Sequence, residues 1–280
     1  MVFDTGSANM WVPDIACAAY STNCEDKKAF NLTASSSFAE VGVNATTRFA
    51  IMYGSGPVTG TFGVDTVTLA EDYTVEEQTL AFVNKTTGLG VRRSSPACLC
   101  FYVRAPAPFD SELQSLLPFP VHIGVLMLPR KRVRRFSPAI AIVELRCLPS
   151  ILTRRSLSLT DTYASFDGIL GLAFPSLSEN PGVPTFLENI ASQGKGMFAF
   201  YLADEADGEL SIGGYDEARM QDGTLQWVSL ARPGYWLLSV DTVTFGDQVV
   251  GSFTGGIMDT GTSLIYGPRA QVRRIKCILN

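Results

Sequence analysis

The sequence predicts an all-β protein built from two similar halves, interrupted once by a long irregular segment. From Met1 to about Val83, stretches such as TRFAIMYGSG and VTGTFGVDTVTL alternate apolar and polar residues between glycine-rich turns. That alternation is typical of half-buried β-strands. The same texture returns at DTYASFDGILGLAF, and each half contains an apolar strand followed by Asp-Thr-Gly. Together these observations favour an all-β fold with an internal repeat.

The second half adds one short helix and one hairpin to this pattern. VPTFLENIAS predicts a helix, because Pro184 stands near its first turn while Leu187 and Ile190 share one face. MFAFYLADEADGELSIGG predicts a hairpin with Asp207 and Gly208 in its turn. Further strands are predicted in GTLQWVSL, GYWLLSVDTVTFG and VVGSFTGGIMDTGTSLI, whereas the last eight residues, RRIKCILN, fit none of these patterns.

The interrupting segment, residues 91–159, differs from both halves in charge and texture. It holds eleven Lys and Arg against three Asp and Glu, together with eight of the fifteen prolines. An irregular loop of that length is uncommon inside a compact domain. We therefore expect the segment to be poorly ordered and to lie outside both sheets, and we interpret it as translated intron in a faulty gene model. The alternative is a real basic, proline-rich insertion that offers RKRVRR to a partner or a processing enzyme.

Composition and charge limit the classes of function. The chain has 280 residues, 46% of them apolar, and a formal net charge of −5, so it is long and apolar enough for a sizeable core. Outside the interrupting segment the net charge is −13, which argues against a nucleic-acid partner. No run of 18 apolar residues occurs, so no membrane span is predicted. Met1 is followed at once by a core-like strand, so no signal peptide is predicted either.

Cysteines and glycosylation sequons favour an oxidising compartment. Cys17 and Cys24 flank the polar stretch AAYSTN, and a disulfide closing this loop would stabilise the fold by about 2.5 kcal/mol. The alternative is two unrelated thiols in a cytosolic loop. Asn31, Asn44 and Asn84 each begin an Asn-X-Thr sequon, which is an acceptor for N-glycosylation. We expect a glycoprotein that is secreted or held in a lysosome- or vacuole-like compartment.

The two Asp-Thr-Gly turns carry the predicted chemistry. Asp4 and Asp259 each follow an apolar strand and precede a hydroxyl residue, Ser7 or Thr262, that can hold the carboxylate. One such turn is ordinary turn chemistry, but two copies predict that the aspartates meet. Two carboxylates about 3 Å apart share one proton and titrate as a pair. The ionised partner can then activate a water while the protonated partner donates to a peptide carbonyl oxygen.

This chemistry requires no metal and no cofactor, and we expect neither. No cluster of His and Cys has the spacing of metal ligands, and His122, the one histidine, lies in the interrupting segment. A serine hydrolase is a weaker alternative, because YGSGP lacks the strand–helix context of a nucleophile elbow.

The chain resembles the pepsin-like aspartic proteases over residues 1–83 and 163–268. The resemblance rests, in this order, on VFDTGSANMWVP, YGSGPVTGTFGVDTV, FDGILGLAFPSLS, GELSIGGYD, GYWLLSVDTVTFG and IMDTGTSLIYGP. It implies a bilobal pepsin-like aspartic protease fold. The N-terminal lobe would span residues 1–175, including the interrupting segment, and a partial C-terminal lobe would span residues 176–280.

The resemblance also implies roles for individual residues. Asp4 and Asp259 match the catalytic pair, and Tyr53 matches the tyrosine at the tip of a hairpin flap, which the indole N–H of Trp11 steadies. Ser7 supports the first aspartate, and Ile169-Leu170-Gly171 matches the segment that passes beneath its loop. The residues implied to bind the substrate are Gly6, Tyr53, Gly54, Ser55, Gly261 and Thr262.

The match to the family breaks at both ends of the chain. Family members have strands ahead of the first Asp-Thr-Gly and continue well beyond the second, so we expect a fold that is incomplete at both ends. We expect little activity from this chain as written, and cleavage of polypeptides at acidic pH by a monomeric, repaired version. The alternative is a catalytically inactive relative, a peptide-binding or structural glycoprotein.

Overall fold

Two compact units make up the protein. The computed structural model describes residues 1–25, 27–41, 47–69, 73–87, 91–92, 100–104, 122–125, 142–145, 163–164, 166–202, 207–220, 225–245, 247–252, 255–262 and 266–279. The first unit comprises Met1–Ser94 and Arg155–Gln193, and the second comprises Ser95–Arg154 and Gly194–Asn280. This division by packing places residues 176–193 in the first unit, and the predicted lobes of 1–175 and 176–280 stay predictions.

Strands dominate both units, which confirms the predicted all-β class. The strands are β1 (Val2–Asp4), β2 (Met10–Pro13), β3 (Ala39–Glu40), β4 (Arg48–Tyr53), β5 (Gly56–Leu69), β6 (Tyr73–Thr86), β7 (Val91–Arg92), β8 (Cys100–Arg104), β9 (His122–Val125), β10 (Ile142–Leu145), β11 (Tyr163–Ala164), β12 (Ile169–Gly171), β13 (Met197–Tyr201), β14 (Glu209–Ile212), β15 (Leu230–Arg232), β16 (Leu237–Leu238), β17 (Thr242–Phe245), β18 (Gln248–Ser252) and β19 (Gly255–Asp259).

Helices are short in comparison. They are α1 (Cys17–Tyr20), α2 (Phe186–Ser192) and α3 (Arg269–Leu279), with 3-10 turns at Thr22–Cys24, Leu32–Ala34, Pro175–Leu177 and Glu217–Arg219. The helix predicted in VPTFLENIAS is α2, and a capping box starts it: the Thr185 hydroxyl accepts from the Glu188 N–H, while the Glu188 carboxylate accepts from the Thr185 N–H. None of the described helices is long and apolar enough to cross a membrane.

The first unit is organised around one seven-stranded sheet. Its order is β1-β12-β2-β6-β5-β3, with β4 paired to β5. The alternating pattern predicts strands here, and the structure pairs the long strands β5 and β6 antiparallel, while β2 runs parallel to β6. Trp11, Phe49 and Phe62 are buried in one cluster with the two cysteines of the first loop. Since β1 and β12 lie side by side in this sheet, Asp4 lies opposite Gly171, and both Asp4 and Thr5 of the first Asp-Thr-Gly turn are buried.

The second unit contains three smaller sheets, and they correct one prediction. Its sheets have the orders β15-β16-β19-β8, β10-β17-β18 and β14-β13-β9. Strands β8, β9 and β10 belong to the interrupting segment, and in the first unit β7 pairs with β11. The expectation that this segment lies outside the sheets is therefore wrong for these strands. Each is a short, largely apolar run whose backbone forms hydrogen bonds with the N–H and C=O groups of a neighbouring strand. The rest of the segment lies outside the described residues.

Three further expectations concern the second unit. The predicted hairpin is confirmed as β13 paired antiparallel with β14. In GTLQWVSL the strand begins only at Leu230, so the prediction there was too long. The closing residues RRIKCILN fitted none of the predicted patterns, yet residues 273–279 belong to α3, and Asn280 lies outside the described residues. The helix begins at Arg269 and consists largely of strong helix formers, which a window limited to the last eight residues did not reveal.

Candidate active site

The first Asp-Thr-Gly turn holds its aspartate with its own next residues. Strand β1 ends at Asp4, whose side chain is buried. The backbone N–H of Gly6 donates to Asp4 Oδ1 at 2.8 Å, and the hydroxyl of Ser7 donates to Oδ2 at 2.5 Å. Each carboxylate oxygen thus has a local donor, and the pair fixes the orientation of the carboxylate. Ser7 stands in the supporting position that the sequence predicted for it.

Strand β12 lies beneath this turn. In the parallel pairing with β1, Asp4 lies opposite Gly171. The N–H of Leu172 donates to the Asp4 carbonyl at 2.7 Å, and the N–H of Ala173 donates to the Ser7 carbonyl at 2.8 Å. The predicted support by Ile169-Leu170-Gly171 is therefore present. Within that segment the N–H of Gly171 donates to the Asn9 carbonyl at 3.1 Å, and Leu172 and Ala173 continue the contact beyond it.

A hairpin carries Tyr53 over the same unit. Tyr53 ends β4 and pairs with Gly56 at the start of β5, so Gly54 and Ser55 form the exposed tip. The indole N–H of the fully buried Trp11 donates to the Tyr53 hydroxyl oxygen at 3.0 Å. This is the contact that the resemblance implied.

The environment of the Tyr53 hydroxyl keeps it protonated. Burial raises the pKa of Tyr53 far above its ordinary value, and the negative charge of Asp4 adds to the increase. Hydrogen bonds with Trp11 and Ser7 lower the pKa of Tyr53, but by less than burial raises it. The phenol is therefore a neutral hydrogen-bonding group across the acidic and neutral pH range.

The second Asp-Thr-Gly turn repeats the first in the second unit. Strand β19 ends at Asp259, and the N–H of Gly261 donates to Oδ1 at 2.9 Å. The hydroxyl of Thr262 donates to Oδ2 at 2.5 Å. The donors occupy the same positions after the aspartate as Gly6 and Ser7 do in the first turn. The internal repeat inferred from the sequence is thus present in the hydrogen bonding of both turns.

Several predicted assignments stay predictions. Asp4 belongs to the first unit and Asp259 to the second, and the meeting of their carboxylates stays a prediction. The same holds for substrate binding by Gly6, Gly54, Ser55, Gly261 and Thr262. Among the residues that the structure describes, no group of three or more His, Cys, Asp or Glu could hold a metal ion. For His122 only the backbone, in β9, is described.

The structure confirms the predicted disulfide, and for the glycosylation sequons it shows only the exposure of two of the three asparagines. Cys17 and Cys24 form a disulfide with their Cα atoms 5.7 Å apart, in the segment that follows the first Asp-Thr-Gly turn and β2. Asn31 and Asn84 are exposed, and Asn44 lies outside the described residues. Glycosylation at these positions stays a prediction.

Two polar residues near the first turn were missed in the sequence. Asn9 is buried, donates to the Ser178 hydroxyl at 3.1 Å and accepts from the N–H of Glu179 at 2.9 Å. It ties the turn to the segment after β12, and its one signal in the sequence is an amide within the apolar run ANMWVP. The second residue is Lys27, whose ammonium donates to the Phe166 carbonyl. Nothing in a lysine-rich loop distinguishes it.

Comparison with known proteins assigns the family. The sequence model of the eukaryotic aspartyl protease family matches residues 1–95 and 151–280. The chain belongs to the eukaryotic aspartyl proteases, as the motifs and the two turns indicated. Residues 96–150, which the family leaves unmatched, fall within the interrupting segment that charge and texture set apart.

Individual relatives are pepsins and cathepsins. The chain is 32% identical to pepsin F of Oryctolagus cuniculus, over 100% of this chain and 54% of that protein. It is 29% identical to cathepsin E of Rattus norvegicus, over 99% of this chain and 52% of that protein. It is 31% identical to pepsin A-5 of Mus musculus, over 100% of this chain and 54% of that protein. The chain thus spans about half the length of the curated relatives it matches.

Proposed function

We propose that the protein is an aspartic endopeptidase that hydrolyses peptide bonds at acidic pH with a water activated between Asp4 and Asp259. The observation that carries the proposal is the repeated carboxylate geometry. Each aspartate ends a strand and accepts from a backbone N–H two residues on and a hydroxyl three residues on. Duplicated carboxylates held alike suit one task in which two such groups cooperate.

The reaction requires different protonation states of the two aspartates. One carboxylate accepts a proton from the water as the oxygen attacks the peptide carbonyl carbon, and the other donates a proton to the carbonyl oxygen. The carboxyl that took the proton from the water then passes it to the leaving amine as the C–N bond breaks, and the other carboxylate takes a proton back from a hydroxyl of the tetrahedral intermediate, which leaves a carboxylic acid product. Neither a covalent intermediate nor a cofactor is needed for this sequence.

The substrate is an extended polypeptide. A peptide in a groove is held mainly through its main chain, and Gly6, Gly261 and Thr262 stand at the two turns where such a chain would pass. The hairpin tip at Gly54 and Ser55 would close over it, with Tyr53 placed by Trp11. Closure of this kind excludes water from the reacting bond.

The proposed setting is an oxidising and acidic compartment. The Cys17–Cys24 disulfide and the sequons that begin at the exposed Asn31 and Asn84 support secretion or a lysosome- or vacuole-like organelle. We propose that the enzyme acts as a monomer there.

The test is proteolysis of a denatured protein by the product of the full transcript that encodes these residues. Asp4→Asn and Asp259→Asn should each lower kcat/KM by roughly a thousandfold or more, because an amide can neither take nor supply the proton. Asp241→Asn, at an exposed aspartate of the second unit, is the matched control and should retain activity.

Two results would count against the proposal. Cleavage that survives both Asn substitutions would exclude an aspartic mechanism. A protein that is inert in every form but still binds a pepstatin-type peptide would instead be the catalytically inactive, peptide-binding relative.

A further inference from the structure

Lys27 connects the disulfide loop to the start of β12. Its Nζ donates to the carbonyl oxygen of Phe166 at 2.6 Å, although the two residues are 139 positions apart. The same ammonium lies 4.6 Å from the centroid of the Phe166 ring. Beside it, the backbone N–H of Lys28 donates to the Asp167 carboxylate at 2.9 Å. Two successive loop residues thus hold the two residues through which the chain enters β12.

Phe166 in turn packs against the tryptophan that holds Tyr53. The ring centroids of Phe166 and Trp11 are 6.1 Å apart. Both residues are buried in one cluster with Cys17 and Cys24, and Tyr53 packs against that cluster. A continuous series of contacts therefore leads from Lys27 through Phe166 and Trp11 to the flap hydroxyl.

The Lys27 contacts are of the kind that restrict a side chain. A charged donor to a carbonyl forms a stronger hydrogen bond than a neutral one, and an ammonium over an aromatic face adds a cation–π attraction. Lys27 is partly buried, and burial lowers its pKa against the opposing effect of Asp167. The loop is anchored as well, since the Lys27 N–H donates to the Cys24 carbonyl at 3.1 Å.

We propose that Lys27 is a positioning residue for the Trp11–Tyr53 pair. By holding the carbonyl and the ring of Phe166, it sets the place of the indole whose N–H holds the flap hydroxyl. Its consequence for catalysis rests on the proposed function, whereas the positioning itself is a property of the first unit.

The first test measures position without activity. In ¹⁵N-labelled protein, the indole N–H resonance of Trp11, assigned with Trp11→Phe, is compared between the wild type and four variants. Lys27→Met, which keeps the stem and removes charge and donor, should shift the resonance and speed exchange of that N–H by about three- to tenfold. Lys27→Arg keeps both the charge and the donor, so the Trp11 resonance and its exchange rate should stay close to those of the wild type. Lys28→Met is the matched control and should change nothing, because its contact is made by the backbone. If Lys27→Met does not fold, the same measurement is made on Lys27→Gln, for which the same change of the Trp11 resonance is expected.

The second test separates positioning from catalysis. Lys27→Met should lower kcat/KM by about tenfold and leave both limbs of the pH profile in place, because neither aspartate is touched. An unmoved Trp11 resonance in Lys27→Met or Lys27→Gln overturns the positioning role, whatever the activity. A moved resonance in a protein whose wild type cleaves nothing supports the positioning role and overturns the proposed function instead.

Discussion

Individual hydrogen bonds fix the orientation of the side chains in the candidate site. Asp4 and Asp259 are each held by donors two and three residues further along the chain, and such contacts form wherever the turn forms. Tyr53 differs, because its donor Trp11 lies 42 positions away. Burial of that tyrosine therefore depends on the whole first unit, and its titration reports whether the hairpin is docked.

Titration of Tyr53 yields a prediction at this scale. Burial raises the pKa of Tyr53 in the folded protein above the ordinary tyrosine value of 10.0, so the folded state keeps a proton that the unfolded state loses. The contribution of Tyr53 to stability is present below pH 10 and is lost as pH rises from 10 toward the folded pKa. Tyr53→Phe should therefore make the free energy of unfolding fall less steeply above pH 10.

Urea unfolding at a series of alkaline pH values measures that slope. Tyr20→Phe, at a tyrosine that is 71% exposed, is the control and should leave the slope of the wild type unchanged. Equal slopes for Tyr53→Phe and the wild type would contradict a buried hydroxyl.

At the scale of elements, β12 supports the shape of the first Asp-Thr-Gly turn. A Cβ on Gly171 would lie 2.5 Å from the Ala8 carbonyl carbon and 2.6 Å from the Asn9 nitrogen and the Ser7 oxygen. All three are backbone atoms of the segment that follows Asp4. The strand can approach the turn closely enough for its hydrogen bonds only because this position has no side chain.

Gly171→Ala should therefore destabilise the first unit by about 1–3 kcal/mol, as overpacking in a rigid site does. Because backbone rather than a flexible side chain must move, the Asp4 turn should be displaced with it. Gly214→Ala is the control, since an added Cβ there meets nothing within 4 Å. Urea unfolding curves give the free energy of unfolding of both variants. If Gly171→Ala and Gly214→Ala lowered it by the same small amount, the backbone of the turn would accommodate the added Cβ, contrary to this prediction.

On the scale of the whole molecule, the proposed chemistry needs one aspartate from each unit. The first unit holds Asp4 and the hairpin of Tyr53, while the second holds Asp259. A shared proton would make the two aspartates titrate as one system with two apparent pKa values. The pH profile of proteolysis is therefore a property of the complete protein.

We expect kcat/KM of the full transcript product to rise and then fall within the acidic range. At lower pH both aspartates are protonated and no base remains, and at higher pH the acid has lost its proton. Initial rates on a fluorogenic peptide across that range measure the profile. Asp241→Asn should reproduce it. A rate that still increases at neutral pH would show that no shared proton is needed.

Much of this protein was accessible from local sequence. The strands β5 and β6, the helix α2, the Cys17–Cys24 disulfide and both carboxylate turns are set by residues close together in the chain. Their physical basis is short-range: side-chain alternation in the strands, an apolar face and a proline near the first turn of the helix, and donors two and three residues from their acceptors in the turns. That is why motifs a few residues long were sufficient to predict them and to indicate the protease family.

Contacts between distant residues were decided only by the tertiary structure. It joined Asn9 to Ser178, Lys27 to Phe166 and the Asp4 carbonyl to Leu172, and it paired strands of the interrupting segment with β19, β13 and β17. Any exposed strand edge or buried carbonyl accepts any suitable donor, so sequence pattern alone does not select the partner. The partner is selected by the arrangement of the strands in the sheet, which brings residues that are distant in the chain next to each other. Lys27 and Phe166, for example, are 139 positions apart.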